Sequence, residues 1–248
     1  MRNSFVPGPG GILSADIAVP EHDRELEFYS SVLTTGEKSL WNKDLMNNLG
    51  MPVIGLGVRT PEYESLPLKW MPHFQVENVG ASIKQALASG GQEIFPSPVV
   101  DGEYQWGALA DPAGTPFGII PAVTPEEAGL PEGESFGRIA WLSLWAPDST
   151  ACQEFYQKVI GWNSKATEAG SFEMQVDDDS SAAEIFQLDE ETDFAASTWI
   201  IHLPVGDLDE SLIRVTQGGG EVVSQGQSDL PTVVRDPIGV YFALQADD

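Results

Sequence analysis

The sequence predicts an α+β protein of four β-α-β-β-β modules that make two similar domains in tandem. Three observations carry that prediction. The first is a repeated turn and strand: "DPAGTPFGII" at 111–120 and "DPIGVYFALQ" at 236–245 write the same Asp-Pro-x-Gly before the same kind of apolar run. The second is that two longer stretches recur in the same order. Residues 12–33 align with 139–160, so that Pro20 matches Pro147 and Phe28-Tyr29 matches Phe155-Tyr156, all 127 positions apart. Residues 70–91 align with 199–220, so that Trp70, His73 and Gly91 match Trp199, His202 and Gly220, 129 apart. The third is the alternation of segment type inside each half, where short apolar strands flank stretches with helix start and stop signals. The offsets drift from 127 to 129 to 125, as short loop insertions would make them. Landmarks that keep their order over such a distance point to a duplication.

Each element can be justified in turn. Residues Ile12 to Val19 and Ile139 to Ala146 read as the opening strands. Helices follow, with Asp23 and Thr150 as candidate N-caps and Gln153 completing a capping box for Thr150. "PVIGLGV" (52–58) and "AAEIFQL" (182–188) are short strands. "MPHFQV" (71–76) and "IIHLPV" (200–205) begin the next modules, Asn78 and Asp207 cap their helices, and Glu210 stands at the box position of Asp207. Gly90-Gly91 and Gly218 to Gly220 stop those helices. The closing strands surround Asp-Pro-x-Gly, where Asp and Pro start a turn and Gly completes it. The expected domains are 1–122 and 138–248, joined by a linker at 123–137 that is rich in Pro, Glu and Gly and runs over the surface.

Composition narrows the partners. Hydrophobic residues make up 42% of the 248, enough for a packed core. Acidic residues number 38 against 12 basic ones, a formal net charge of -26. That charge repels nucleic acid and anionic lipid, which bind through clustered Lys and Arg. The same deficit of basic residues is found in proteins of salty cytoplasm, where screening relieves self-repulsion. Cys152 is the only cysteine, so neither an internal disulfide nor a multi-cysteine zinc site can form. The start, "MRNSFVPGPGG", has no apolar core of signal-peptide length, and no run approaches the ~18 apolar residues of a membrane span. The expectation is a soluble cytoplasmic monomer or homodimer with a small-molecule ligand, and no nucleic acid or membrane partner.

The Phe-Tyr pair on the first helix of each half, the Trp-x-x-His strand and the Asp-Pro-x-Gly turn resemble the vicinal-oxygen-chelate superfamily of glyoxalase I, bleomycin-resistance proteins and extradiol dioxygenases. The resemblance covers residues 12–120 and 139–244. It implies two glyoxalase-like domains whose paired modules form clefts with mixed sheets. It also implies a divalent metal in many members, held by His or Gln, then His, then one or two Glu. The family's closing pattern resembles Asp-Pro-x-Gly-x-x-x-Glu, and this chain places Gly118 and Ala243 at the Glu position. The first-strand ligand positions hold Asp16 and Ser143. His73 and His202 remain, and Glu184 stands near where glyoxalases carry a carboxylate, its counterpart lying close to Gly55. The resemblance thus leaves at most Asp16 with His73, and Glu184 with His202. Catalytic sites usually supply three protein ligands, so no cofactor and no tight metal are expected. These four residues are the fallback set for a divalent metal.

Successive strand residues face opposite sides. Trp141, Ser143 and Trp145 therefore share the ligand-position face, which is the expected cleft side, while Ala140, Leu142 and Leu144 face the helices. The two indoles either stack an organic guest or fill the cleft themselves. In the first half, Ser14, Asp16 and Ala18 make an emptier, polar face. Asp16 reads as an acid/base or ligand contact, or as a carboxylate reaching solvent. His73 and His202 read as lining their clefts, or as remnants held by backbone. Tyr104 and Trp106 read as lining the first cleft or as ordinary strand aromatics. Cys152 reads as a buried inert thiol, Phe28, Tyr29, Phe155 and Tyr156 as core, and His22 as solvated.

Other chemistries find no motif. "GPGG" at 8–11 follows no strand, and no P-loop, Gly-x-Ser-x-Gly or His-Glu-x-x-His occurs. "VDDDSS" at 176–181 lacks the spaced ligands of a calcium loop. The leading expectation is a protein that binds a small aromatic or apolar organic molecule in a cleft. The alternatives are a metal-dependent lyase, isomerase or dioxygenase with a remodelled ligand set, and an interaction protein whose clefts are filled.

Overall fold

The computed structural model describes residues 6–35, 38–39, 41, 45, 53–128, 137–188, 197–226 and 231–246. Most of the expected linker, 129–136, lies outside them. The first half contains β1 (Ile12–Val19), α1 (His22–Val32), the short β2 (Thr34–Thr35) and β3 (Lys38–Ser39), β4 (Ile54–Val58), β5 (Met71–Val76), α2 (Val79–Ala88), β6 (Gln92–Phe95), β7 (Val99–Val100), β8 (Glu103–Tyr104), β9 (Gly107–Ala110), β10 (Pro116–Pro121) and α3 (Pro125–Ala128). The second contains β11 (Trp141–Ala146), α4 (Ser149–Ile160), β12 (Asn163–Ala166), β13 (Phe172–Gln175), β14 (Ser181–Gln187), β15 (Thr198–Val205), α5 (Leu208–Gln217), β16 (Glu221–Ser224), β17 (Thr232–Arg235) and β18 (Tyr241–Ala246).

The mixed pairing expected of an α+β module is present in both halves. The first and last strands of a module run parallel, as β1 with β4, β5 with β10, β11 with β14, and β15 with β18. The intervening strands run antiparallel, as β6-β9-β10, β12-β13-β14 and β16-β17-β18. A parallel pair needs a long crossover between its strands, and here a helix with its return strands supplies it.

The described residues group into two compact units. Unit 1 comprises Met1–Leu13, Met71–Pro131 and Trp141–Trp199, and unit 2 comprises Ser14–Trp70, Glu132–Ala140 and Ile200–Asp248. Each unit therefore takes one module from each half of the sequence. In unit 1, α2 packs with α4; in unit 2, α1 packs with α5.

Helix starts follow side-chain capping with two differences from expectation. Asn78 accepts from the Ala81 amide at 2.8 Å and Asp207 from the Glu210 amide at 2.9 Å, both as expected. The cap of α4 is Asp148, which accepts from the Ala151 amide at 2.9 Å, and Thr150 lies inside the helix. Both are good cap residues, but a carboxylate there also meets the positive end of the helix. Helix α1 starts at His22 after Glu21, with no side-chain cap, so Asp23 is not its cap. His22 is not simply solvated either: its Nε2 lies 3.0 Å from the Leu56 carbonyl oxygen.

The repeated landmarks meet inside each unit, and they meet across the halves of the sequence. In unit 1, the Tyr156 hydroxyl donates to Asp111 Oδ2 at 3.2 Å, and Trp199 Nε1 donates to the Tyr156 hydroxyl oxygen at 3.1 Å. The other oxygen, Asp111 Oδ1, accepts from the amides of Ala113 and Thr115 at 2.9 and 2.8 Å and so holds the turn. In unit 2, the Tyr29 hydroxyl donates to Asp236 Oδ2 at 3.0 Å, while Asp236 Oδ1 accepts from the amides of Ile238 and Val240 at 3.1 and 2.7 Å. The glycines after α2 and α5 make room for a backbone carbonyl and for the neighbouring phenylalanine: a Cβ on Gly91 would lie 2.9 Å from the Ala110 oxygen, and one on Gly220 would lie 2.7 Å from the Arg235 oxygen. A Cβ on Gly91 would lie 3.1 Å from the Phe155 ring, and one on Gly220 would lie 3.0 Å from the Phe28 ring. Phe-Tyr, Gly-Gly and Asp-Pro-x-Gly are thus one packing device written twice, and Trp70 meets the Tyr29 ring edge-on as Trp199 meets Tyr156. Phe28, Tyr29, Phe155 and Tyr156 are core residues, as expected.

Candidate functional site

Strand register sets the positions that the family uses for ligands side by side in pairs. In unit 1, His73 on β5 lies opposite Gly118 on β10, and Ser143 on β11 lies opposite Glu184 on β14. In unit 2, Asp16 on β1 lies opposite Gly55 on β4, and His202 on β15 lies opposite Ala243 on β18. Glu184 and Gly55 therefore occupy equivalent places, as the alignment expected.

The donor chemistry of these pairs is poor for a metal. Gly118 is more than a missing carboxylate: a Cβ there would stand 2.5 Å from His73 Cδ2. The imidazole occupies the space a side chain at 118 would need. Glu184 is buried, and its Oε1 accepts from Ser171 Oγ, which also shares a hydrogen bond of 2.6 Å with Thr167 Oγ1. Ser143 and His202 are buried as well, and Ala243 offers no donor atom. Among the described residues, no three His, Cys, Asp or Glu side chains gather in a way that could hold a metal ion. The residues present do not fit the family's metal triad.

Gly118→Ala is expected to cost about 1–3 kcal/mol in urea unfolding, the usual range for overpacking. Replacing His73 by alanine in the same chain should recover much of that loss. Strictly additive losses would show that the imidazole is not the obstacle.

The face of β11, β13 and β14 that carries Ser143 belongs to unit 1. Trp145 lies opposite Phe186, and their rings stack at 4.7 Å with an interplanar angle of 15°. Both side chains are half-buried, so the stack keeps contact with solvent, whereas Trp141 at the start of the strand is buried. The next row along holds Ser143, Glu184 and Glu173 in register. Glu173 Oε1 accepts from Ser181 Oγ at 2.6 Å, so both carboxylates are oriented by serine hydroxyls. Like charges directly opposite each other on adjacent strands are destabilising. An aromatic platform beside a row of acceptors is the result.

The remaining sequence candidates lie elsewhere. Tyr104 and Trp106 are 38% and 43% exposed, and the Tyr104 ring lies against Gly80 in α2, whose added Cβ it would meet at 2.8 Å. Asp16 and His202 belong to unit 2, and His73 to unit 1. Cys152 is buried, with Sγ 3.6 Å from Asp111 Oδ2, and burial followed by the Asp111 charge pushes its thiol far up. Phe186 and Glu173 escaped the sequence reading, because which strand lies beside β11, and in what register, is not written in β11.

The chain has a tandem glyoxalase-like fold, and residues 141–245 match the glyoxalase-like domain family. Two curated proteins are similar in sequence. CFP32 of Mycobacterium tuberculosis (strain CDC 1551 / Oshkosh), whose name carries the word glyoxylase, is 22% identical over 187 residues, 73% of this chain and 70% of that protein. The anthracycline biosynthesis protein DnrV of Streptomyces peucetius is 25% identical over 206 residues, 74% of this chain and 67% of that one. Among solved structures, the Mn(II)-bound glyoxalase of Novosphingobium aromaticivorans superimposes with a TM-score of 0.61 at 14% identity, covering 97% of this chain and 83% of that one. At such identity the likeness is one of fold.

Proposed function

We propose that this glyoxalase-like chain binds a small aromatic or otherwise apolar organic molecule on the β11–β14 face of unit 1, without the metal centre of its fold family. The observation that carries the reading is the half-buried Trp145–Phe186 stack beside the acceptor row of Ser143, Glu184 and Glu173. A half-buried ring pair that keeps contact with solvent can be extended by one more ring, and offset stacking adds about 0.5–1.5 kcal/mol beyond the area it buries. The acceptor row suits a guest that carries hydrogen-bond donors on its edge. The acidic charge of the chain disfavours nucleic acid and anionic membranes as partners. Among the described residues, no helix is long and apolar enough to cross a membrane.

The test is a fluorescence titration of the whole chain against a panel of aromatic compounds, with the metal content measured in parallel. Trp145→Ala should weaken the tightest binder about ten-fold, since ~1.4 kcal/mol corresponds to that factor. Elemental analysis should find well under one tightly held divalent ion per chain. Unchanged affinity in Trp145→Ala would sink the stacking reading. One ion per chain would favour the alternative, a metal-dependent lyase, isomerase or dioxygenase drawing on Asp16, His73, Glu184 and His202. That alternative rests on the manganese held by the Novosphingobium glyoxalase.

A further inference from the structure

The two units differ at a buried position beside the shared tyrosine–aspartate contact. Glu25 on α1 stands 127 residues before Cys152 on α4, the same offset that relates Tyr29 to Tyr156. In unit 1 the thiol of Cys152 faces Asp111, a neutral donor against a carboxylate. In unit 2 the same place holds a second carboxyl group. Glu25 is 0% exposed and Asp236 is 4% exposed.

The hydrogen bonds of the cluster say which of the two carries the charge. Asp236 accepts from the amides of Ile238 and Val240 and from the Tyr29 hydroxyl, three donors that favour its ionised form. Glu25 has no such support: neither carboxyl oxygen meets a hydrogen-bond donor, and the group it acts against is the Asp236 carboxylate. Two buried negative charges side by side are costly, and one shared proton removes the repulsion.

We propose that Glu25 and Asp236 hold one proton between them, and that this proton locks α1 against the β17–β18 turn in unit 2. The other charged groups do not neutralise the pair. Arg24, the neighbour on α1, pairs with Glu21 at 2.9 Å, and its charge offsets only a small part of the repulsion. β4, packed on the same helix, has no titratable residue. On α5, Arg214 is tied to Glu210 and to the Thr34 hydroxyl. On β17, Arg235 pairs with Glu221. Burial first, and then the charge of Asp236, push the Glu25 carboxyl up to about 8.

The sign follows from linkage. The folded chain binds this proton more tightly than the unfolded chain does, so its contribution is complete below the ordinary glutamate value. It declines as pH rises and is lost once pH passes about 8. Over that window, folding takes up one extra proton. The unfolding equilibrium constant should then change up to ten-fold per pH unit from this group alone.

The experiment is urea unfolding from about pH 5 to about pH 9, on the whole chain and on Glu25→Gln and Glu25→Cys, the second copying unit 1. Both variants should lose one proton's worth of slope, and the unaltered chain should show it. Equal slopes in all three would overturn the lock. Infrared spectroscopy of the unaltered chain serves even where a variant fails to fold. A protonated carboxyl stretch should be present in the folded protein at neutral pH and should bleach as pH rises through about 8. Its absence at neutral pH overturns the proposal.

Discussion

Asp111→Ala is expected to unfold unit 1 under ordinary conditions. The carboxylate is buried and accepts from the Ala113 and Thr115 amides, from the Tyr156 hydroxyl and from the Cys152 thiol. Deleting it strands those donors where water does not reach. A buried donor without a partner costs about 1–3 kcal/mol, so the sum is on the order of 5 kcal/mol. That is comparable to the whole stability of a typical domain, about 5–15 kcal/mol. Asp111→Asn keeps the acceptor for the turn and should recover part of the loss. Urea midpoints for the set decide the matter. A loss within ~1 kcal/mol for Asp111→Ala would mean that the turn and Tyr156 hold without this carboxylate.

Phe74→Ala is the second large effect. The ring is fully buried in unit 1, with Trp162 at 5.0 Å, Trp199 at 5.4 Å, Tyr156 at 5.9 Å and Phe117 at 6.1 Å between centroids. Removing a phenylalanine from such a cage costs about 3–5 kcal/mol, the lost transfer energy plus the cavity left behind. Calorimetry or urea unfolding measures it. Two tryptophans edge the cavity, so their fluorescence should shift in the folded variant. A loss below ~1 kcal/mol would show that the aromatic cluster closes over the gap.

The order of elements was legible in the sequence because the chain writes it twice. The parity of Trp141, Ser143 and Trp145 was legible because strand side chains alternate. Partnerships between distant segments were not. Tyr29 and Asp236 are separated by 207 residues, and nothing near either one names the other. Alignment of the halves matches Tyr29 with Tyr156 and Asp111 with Asp236. It does not say whether a tyrosine meets the aspartate of its own half or of the other, and it meets the other. The start of α4 was missed by two residues because Asp148 and Thr150 both suit a cap, and only the amide of Ala151 distinguishes them. At the candidate site, Gly118 read as an absent ligand. That the imidazole of His73 fills its place depends on the pairing of β5 with β10.

Tyr29 of the first half reaches Asp236 of the second, and Tyr156 of the second half reaches Asp111 of the first. Two copies of a half-length chain related by a two-fold axis would make this reciprocal contact, each giving what it receives. Covalent linkage of the copies adds effective concentration and leaves the contacts as they are. It also lifts a constraint. In a homodimer, any substitution appears at both equivalent places at once. In the fused chain, Glu25 can face Asp236 while Cys152 faces Asp111, and Ser143 with Glu184 can differ from Asp16 with Gly55. Fusion is what allows one copy to be adapted while the other keeps the shared architecture folded.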